Sequence, residues 1–393
     1  MVVAYATFVS GAMALLQLPL AHQFHWSRAQ VTFALPLMSW STALLSPLLG
    51  RYFDMVGARR VLIGAAVGIA LGTFALAFTN SNILYFYGCF VGLGLLGASV
   101  VGYYKIIAAT FSRHRGKAFA LFTVETTLAS AVMPLLLNAV LNQWGWRAIF
   151  VALAAVKLFV AVPMLIAWLR DPAEEARKAR ATSAGAAAAR EPVLEGMTLA
   201  ETLRSGPFWM LILANLGGGL TIFGLIPNLI AMVSDQGIGR TTAVWAMSFM
   251  ALFNALGQFG AGFVVDRIHT AKVAGFFLFL FPFGIFFLSY TSGATGVVPL
   301  FLGMALMGIG GGAQNPMQSY FITRLFGLKA FAQVQGMFRT VQAIVAAPAP
   351  WIVALIHDRT GSYSGAYIMF VCGTALSITM FMLMPRYKYA AGR

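Results

Sequence analysis

The sequence is poor in charge and in cysteine. Only 9% of its 393 residues are charged, 11 of them acidic, and it has two cysteines and five histidines. Cys89 and Cys372 both fall in apolar stretches, so the sequence has neither a disulfide framework nor a metal-type spacing. The histidines are scattered, without ligand spacing and without a nucleophile beside them. We therefore expect neither an enzyme nor a cofactor.

Long apolar runs fill the chain instead. Apolar residues make up 60% of it, and runs of about twenty residues, the length of one bilayer crossing, recur along nearly its whole length. With turn and charge signals as boundaries, they predict an all-α membrane protein with twelve transmembrane helices. The predicted spans are approximately 2–22, 30–49, 60–79, 83–111, 117–142, 147–169, 207–233, 242–265, 272–291, 297–325, 331–356 and 364–385. We interpret 2–22 as a retained helix, because a secretory signal would begin with basic residues.

One long polar stretch divides the spans into two groups. Residues 170–206 are rich in alanine and charge, which is typical of a flexible connector. The predicted domains are an N-terminal bundle at 1–169, a cytoplasmic linker at 170–206 and a C-terminal bundle at 207–393. If the linker and both termini are cytoplasmic, most lysines and arginines lie on the cytoplasmic side, as the positive-inside rule requires. Membrane topology then explains the net charge of +15, and the charge does not indicate a nucleic-acid-binding protein. We expect a multi-pass protein of the bacterial inner membrane.

The stretch "GLGLLGASVVGYYKIIAATF" at 92–111 has the glycine spacing of a dinucleotide-binding loop. Such a loop follows a strand and precedes an acidic residue about twenty positions on. Here both flanks are hydrophobic helix and no such acid follows. The glycines therefore indicate a place where a neighbouring helix approaches closely.

The two halves of the chain resemble each other. "GRYFDMVGARR" at 50–60 follows the second span and "GFVVDRIHTAK" at 262–272 follows the eighth, so that Gly50 and Asp54 match Gly262 and Asp266. "GLGLLG" likewise matches "GIGGG" at 308–312. Two similar halves joined by a linker predict a parallel repeat of two pseudo-symmetric six-helix bundles.

With this repeat, the chain resembles the major facilitator superfamily over essentially all of its length. "HWSRAQ" after the first span, "FSRHRGKAFAL" after the fourth and "FNALGQFGAGFVVDR" at 253–267 are similar to its oxalate/formate antiporter and monocarboxylate transporter branch. Gln258 stands where that branch commonly carries an arginine. The resemblance implies transport by alternating access between the two bundles.

The loop at 50–60 resembles the signature of that superfamily between its second and third spans. The resemblance implies a conformational latch, although an ordinary basic turn remains an alternative. The predicted latch residues are Gly50, Asp54, Gly57, Arg59, Arg60, Asp266 and Arg267.

Apart from charges at the ends of spans, four fall inside predicted spans: Lys105, Lys157, Arg339 and one acid, Glu125. A lone charge at the bilayer centre costs roughly 2.5 to 3.5 kcal/mol on insertion scales, so such residues normally face the protein interior and have a function. Three cations against one anion leave excess positive charge, which predicts an anionic substrate.

The roles of these charges remain open in part. Lys105 and Glu125 both lie about 12 Å from the cytoplasmic ends of their spans, at 1.5 Å per residue. They could form a static salt bridge, or Glu125 could be a protonatable gate that frees Lys105. Arg339 occupies the repeat position of Glu125, where the resemblance implies a substrate-binding cation; a structural role is the alternative. Lys157 could snorkel to the membrane surface or pack between helices, and substrate contact is the alternative.

The leading hypothesis is a secondary active transporter of a small, monocarboxylate-like organic anion, coupled to protons through Glu125 or to a counter-anion. The alternative is a proton-driven exporter of hydrophobic or aromatic compounds. We expect a monomer that contacts membrane lipids. The predicted substrate-binding residues are Arg339, Lys105, Tyr104, Asn254, Gln258, Gln314, Asn315 and Gln342.

Overall fold

A computed structural model of the chain describes residues 5–56, 58–99, 103, 115–169, 196–267, 270–327 and 329–385. At some helical positions it describes the backbone and not the side chain. The described residues contain no β-strand and only two isolated bridges, which join Gly196 to Gly327 and Ser292 to Gly296.

Helices account for almost all of the described chain. In chain order they are α1 (Tyr5–Phe24), α2 (Arg28–Thr32), α3 (Ala34–Val56), α4 (Ala58–Leu76), α5 (Ile83–Gly97), α6 (Arg115–Val156), α7 (Val162–Trp168), α8 (Leu199–Leu203), α9 (Gly206–Asp235), α10 (Arg240–Arg267), α11 (Lys272–Leu278), α12 (Leu280–Tyr290), α13 (Val298–Phe326), α14 (Phe331–Ala346), α15 (Ala349–Thr360) and α16 (Ser364–Met382). A π-helical turn at Lys157–Ala161 joins α6 to α7.

The chain forms two compact units. The first comprises Met1–Trp26 and Phe33–Glu191, and the second comprises Ser27–Thr32 and Pro192–Arg393. The short helix α2 thus belongs to the second unit, whereas the long helices before and after it belong to the first. The predicted domain boundaries stay a prediction, because most of the proposed linker lies outside the described residues.

Seven described helical stretches have the length and hydropathy of a membrane span, and two more, Ile83–Gly97 and Val298–Gln314, are apolar but shorter. The helices and the predicted spans do not always end at the same residues. Gly145, with a φ of 78°, interrupts α6 and lies between the fifth and sixth predicted spans. The eleventh predicted span is divided between α14 and α15 at Pro348, since proline has no N–H with which to continue the helical ladder.

Each unit has its own apolar core. Phe86 and Phe90 of α5 are fully buried in the first unit, as are Phe208, Phe281 and Phe321 in the second. Outward faces carry exposed phenylalanine, leucine and tryptophan, which is how helices present themselves to lipid.

The glycines of the first half mark a close helix contact at one position. A Cβ atom on Gly94 of α5 would collide with the carbonyl oxygen of Met38 in α3. The hydroxyl of Thr42 in α3 donates a hydrogen bond of 2.8 Å to the Gly94 carbonyl oxygen. At Gly94 the packing interpretation of this glycine stretch is therefore confirmed.

Candidate functional site

The predicted substrate-binding residues divide into those that the structure describes and those that it does not. Tyr104 and Lys105 lie outside the described residues. For Asn315 and Arg339, and for the predicted proton-coupling residue Glu125, the structure describes the helical backbone alone. The charge balance among Lys105, Glu125 and Arg339 stays a prediction.

The other four predicted residues lie in the second unit, and we call them the polar cluster: Asn254, Gln258, Gln314 and Gln342. Asn254 and Gln258 are one turn apart on α10, near the middle of that helix. The Nε2 atom of Gln258 donates a hydrogen bond of 2.8 Å to Oδ1 of Asn254. This bond fixes both amides on one face of α10.

Gln314 extends from α13 to the surface of α9. A Cβ atom on Gly218 of α9 would collide with the Nε2 atom of Gln314, so the amide can lie there only because residue 218 is glycine. Nε2 is buried and has no hydrogen-bond partner among the residues that the structure describes. A buried donor left unsatisfied costs about 1 to 3 kcal/mol. The role of Gln314 as a substrate contact stays a prediction.

Gln342 of α14 and Asn254 of α10 approach the same helices. A Cβ atom on Gly219, next to Gly218 in α9, would lie 3.5 Å from Nε2 of Gln342. A Cβ atom on Gly311 of α13 would lie 3.6 Å from Nδ2 of Asn254. Gln314 and Gln342 thus approach neighbouring glycines of α9, and Asn254 approaches a glycine of α13.

Lys157 is deeply buried in the first unit. It is 5% exposed and is the first residue of the π-helical turn between α6 and α7. A snorkelling lysine would keep its ammonium group at the membrane surface. Burial therefore argues against snorkelling, and the choice between helix packing and substrate contact stays a prediction.

The structure describes part of the predicted latch. Nη2 of Arg59, at the start of α4, donates a hydrogen bond of 2.6 Å to the carbonyl oxygen of Ile166 in α7. Arg60 is exposed, and the guanidinium of Arg267 lies 4.0 Å from the ring centroid of Phe263 on its own helix. Gly57 lies outside the described residues, and only the backbone is described at Gly50, Asp54 and Asp266. The latch role stays a prediction.

Sequence reasoning missed a second charged group, which we call the Arg28 cluster: Arg28, Asp235, His357, Asp358 and Tyr363. Nη1 and Nη2 of Arg28 donate hydrogen bonds of 2.6 and 3.0 Å to Oδ2 and Oδ1 of Asp235. Nη1 also donates to the Tyr363 hydroxyl at 2.9 Å. Nε2 of His357 lies 3.0 Å from Oδ2 of Asp235. All five residues belong to the second unit.

A signal for this cluster was present in the sequence. Asp235 ends α9 and Asp358 lies in the last turn of α15, at span ends that the predicted topology places on the side poor in basic residues. Both acids and Arg28 lie outside the predicted spans, so the count of intramembrane charges did not include them.

The cluster also shifts two pKa values. Burial disfavours the charged form of Arg28, but the hydrogen bonds to Asp235 and the proximity of Tyr363 outweigh it and raise the pKa of Arg28 above its ordinary range. Burial raises the pKa of Tyr363 to about 12. At physiological pH, Arg28 is therefore a cation and Tyr363 a neutral hydroxyl.

Comparison with known proteins gives the family. The profile of the Major Facilitator Superfamily matches residues 1–350 and 211–392. The chain belongs to the Major Facilitator Superfamily. The predicted resemblance and the all-α membrane fold of that superfamily are thereby confirmed.

Two relatives show how far the sequence similarity extends. The MFS transporter asaE of Aspergillus flavus is 21% identical over 369 residues, which is 90% of this chain and 78% of the relative. Monocarboxylate transporter 11 of Mus musculus is 24% identical over 346 residues, which is 84% of this chain and 72% of the relative.

A solved superfamily structure supports the fold. The crystal structure of a bacterial homolog of the human lysosomal transporter Spinster, in an inward-facing and occupied conformation, superposes with a TM-score of 0.72. The match covers 98% of this chain and 92% of that chain at 14% sequence identity. At this identity the likeness shows the fold alone.

Proposed function

We propose that this superfamily member is a secondary active transporter of small organic anions of the monocarboxylate type. The observation that carries the proposal is the buried amide of Gln314, whose Nε2 donor has no acceptor among the described residues. A carboxylate would supply that acceptor, and the bond would satisfy a donor that is otherwise costly to bury.

Neighbouring groups in the second unit favour an anion over a cation. The amide of Gln342 approaches Gly219 of α9, next to the glycine that Gln314 contacts, and the amide of Asn254 approaches Gly311 of α13. Arg339 precedes Gln342 by one turn of α14, and positions three residues apart share a helix face. A guanidinium grips a planar carboxylate through two parallel hydrogen bonds. We propose that Arg339 supplies the charge and the polar cluster supplies additional hydrogen bonds.

The charges inside the predicted spans support the same substrate class. Even without Lys157, which is buried in the first unit, the intramembrane charges are Lys105 and Arg339 against Glu125. One positive charge is still in excess. An anionic substrate would neutralise it, which would lower the cost of holding a cation in the membrane.

The relatives and the fold support a mechanism of the same kind. One relative bears the name monocarboxylate transporter, which favours a carboxylate among organic anions. Transport would proceed by rocking of the two bundles around the bound anion. Coupling to a proton would use Glu125, whereas exchange of anions would need no titrating acid.

Uptake by purified protein in proteoliposomes tests the proposal. With radiolabelled lactate or pyruvate as probe, we expect accumulation in the wild type and its loss in Arg339→Ala. Arg339→Lys should keep part of it, because the charge remains but the bidentate geometry is lost. Gln314→Leu should weaken uptake by about tenfold or more, as expected for the loss of one hydrogen bond to a charged group.

The matched control is Gln333→Ala, which removes an exposed glutamine of the same helix as Arg339 and should leave uptake unchanged. Normal uptake in both Arg339→Ala and Gln314→Leu would contradict the site. Transport of aromatic or other hydrophobic compounds in place of carboxylates would favour the alternative exporter function.

A further inference from the structure

The segment Ser27–Thr32 is docked onto the second unit through one side chain and one backbone group. Arg28 makes its paired hydrogen bonds to Asp235, at the end of α9. The backbone N–H of Ala29 donates a bond of 2.7 Å to Oδ2 of Asp358 in α15. Ala29, Val31 and Thr32 are buried. Two carboxylates of the second unit thus hold this segment.

His357 and Arg28 both contact one of these carboxylates, that of Asp235. Nη1 of Arg28 and Nε2 of His357 lie 2.6 and 3.0 Å from the same atom, Oδ2 of Asp235. An ionised carboxylate only accepts hydrogen bonds, so Nε2 of His357 carries the hydrogen. Nδ1 is then the open acceptor of the neutral ring. It is buried, has no hydrogen-bond partner in the described part of the chain, and lies 3.8 Å from Oδ1 of Asp358.

We propose that uptake of a proton at Nδ1 of His357 releases the segment Ser27–Thr32 from the second unit. The added proton makes the ring a cation that faces both acids. It then satisfies Asp235 without Arg28, repels the guanidinium beside it, and competes with the Ala29 N–H for Asp358. Histidine is the side chain that ordinarily changes charge between pH 5 and 8. Acid therefore weakens the docking, and neutral pH strengthens it.

The other groups around His357 do not reverse this direction. Asp235 comes from α9, Arg28 from α2, and Tyr363 from the turn before α16, with its ring centroid 4.5 Å from that of His357. Tyr363 is neutral in this range because burial raises its pKa to about 12. Protonation of Asp235 or Asp358 would weaken their hydrogen bonds to Arg28 and Ala29. Like protonation of His357, it would favour release of the segment.

Release of this segment matters for transport because of how the chain is connected. The helices on either side, α1 and α3, belong to the first unit, while the segment itself is held by the second. The hydrogen bonds of the segment therefore restrain a rocking motion between the bundles, and release of the segment removes this restraint. The inference depends on the superfamily fold and not on which substrate is carried.

Cysteine labelling of Ala29 tests the proposal directly. Ala29 lies within the docked segment and is only 4% exposed, so Ala29→Cys should react with a methanethiosulfonate reagent only after release. The background is the full chain with Cys89→Ala and Cys372→Ala. Ala294→Cys, at an exposed loop position of the same unit, corrects for the pH dependence of the reagent. Relative to this control, we expect labelling at residue 29 to rise roughly tenfold from about pH 7.5 to about pH 5.5, as for release governed by one proton.

Two variants decide the outcome. His357→Gln keeps a donor for Asp235 but cannot gain a proton, so labelling at residue 29 should stay slow at both pH values. Asp235→Asn removes the acceptor charge that holds Arg28, so labelling should be fast at both. A full pH response in His357→Gln would overturn the proposal. Labelling at residue 29 as fast as at residue 294 at neutral pH would also overturn it.

Discussion

Adjacent glycines in α9 have different neighbours, and this difference predicts different effects of the same substitution. An added methyl group at Gly218 would meet the flexible amide of Gln314, whereas at Gly217 it would meet the backbone carbonyl of Gly373 in α16. A side chain can rotate away, but a backbone carbonyl moves only if its helix moves.

We therefore expect Gly218→Ala to reduce anion uptake strongly while changing the free energy of unfolding by less than about 1 kcal/mol, because the groups that must shift, the Gln314 amide and a methyl group of Leu278, are the ends of flexible side chains. Gly217→Ala should destabilise the protein by about 1 to 3 kcal/mol or more, because it overpacks a helix contact. Thermal unfolding in detergent and uptake in proteoliposomes measure the two effects. Gly64→Ala, where an added Cβ atom meets nothing within 4 Å, is the control. Equal destabilisation at 217 and 218 would contradict the assigned contacts.

The candidate site was predictable residue by residue only in part. The bond between Asn254 and Gln258 follows from their spacing, because residues four apart in a helix are neighbours. The approach of Gln314 to Gly218 does not, because it depends on how α13 and α9 are rotated against each other. From the sequence, these amides are predicted site residues, and the membership of each stays a prediction; which of them lacks a partner depends on helix packing.

Among the helices, the start of α4 stabilises the end of α7. Carbonyl groups in the last turn of a helix have no intrahelical donor and carry the negative end of its dipole. Arg59 donates to one of them, that of Ile166. This contact gives Arg59 a structural role within the first unit, whatever its part in the predicted latch.

Truncation of this arginine should weaken the first unit. We expect Arg59→Ala to lower stability by about 1 kcal/mol, the usual contribution of such a hydrogen bond, and Arg60→Ala, at an exposed neighbour, to have almost no effect. Thermal unfolding of the purified variants makes the comparison. If Arg60→Ala were as destabilising as Arg59→Ala, the bond to Ile166 would not explain the effect.

The breaks within helices could not be predicted as well as the helices themselves. Apolar length predicted the span at 331–356 correctly, but the division between α14 and α15 follows from Pro348. Residues 27–32 were interpreted as part of a loop and the beginning of a span. They instead form α2 and dock onto the second unit, because Asp235 and Asp358, far away in sequence, bind them.

For the whole molecule, features that depend on long apolar runs could be predicted from the sequence, whereas contacts between charged side chains could not. Twenty-residue apolar runs and the internal repeat were enough for the fold, because a membrane admits few other structures for them. Contacts between charged side chains at span ends depend on tertiary packing, and no sequence period encodes them.

Proton coupling is a property of the whole transport cycle and has its own prediction. If Glu125 is the coupling acid, Glu125→Gln should abolish uptake driven by a pH gradient but keep exchange of labelled for unlabelled anion, because exchange needs no net proton movement. Both activities are measured in the same proteoliposomes. Loss of both, together with a lower unfolding temperature, would instead indicate a static pair with Lys105.

The central claim is that the protein binds an organic anion for its negative charge. The most direct measurement is the unfolding temperature of the detergent-solubilised protein with lactate or pyruvate, compared with the neutral amide of the same acid. A ligand that prefers the folded state raises stability according to its concentration and affinity, by about 2.7 kcal/mol at 100 times its Kd. We predict stabilisation by at least one of these carboxylates, none by its amide, and none in Arg339→Ala. Equal stabilisation by the amide, or stabilisation only by uncharged aromatic compounds, would contradict the account.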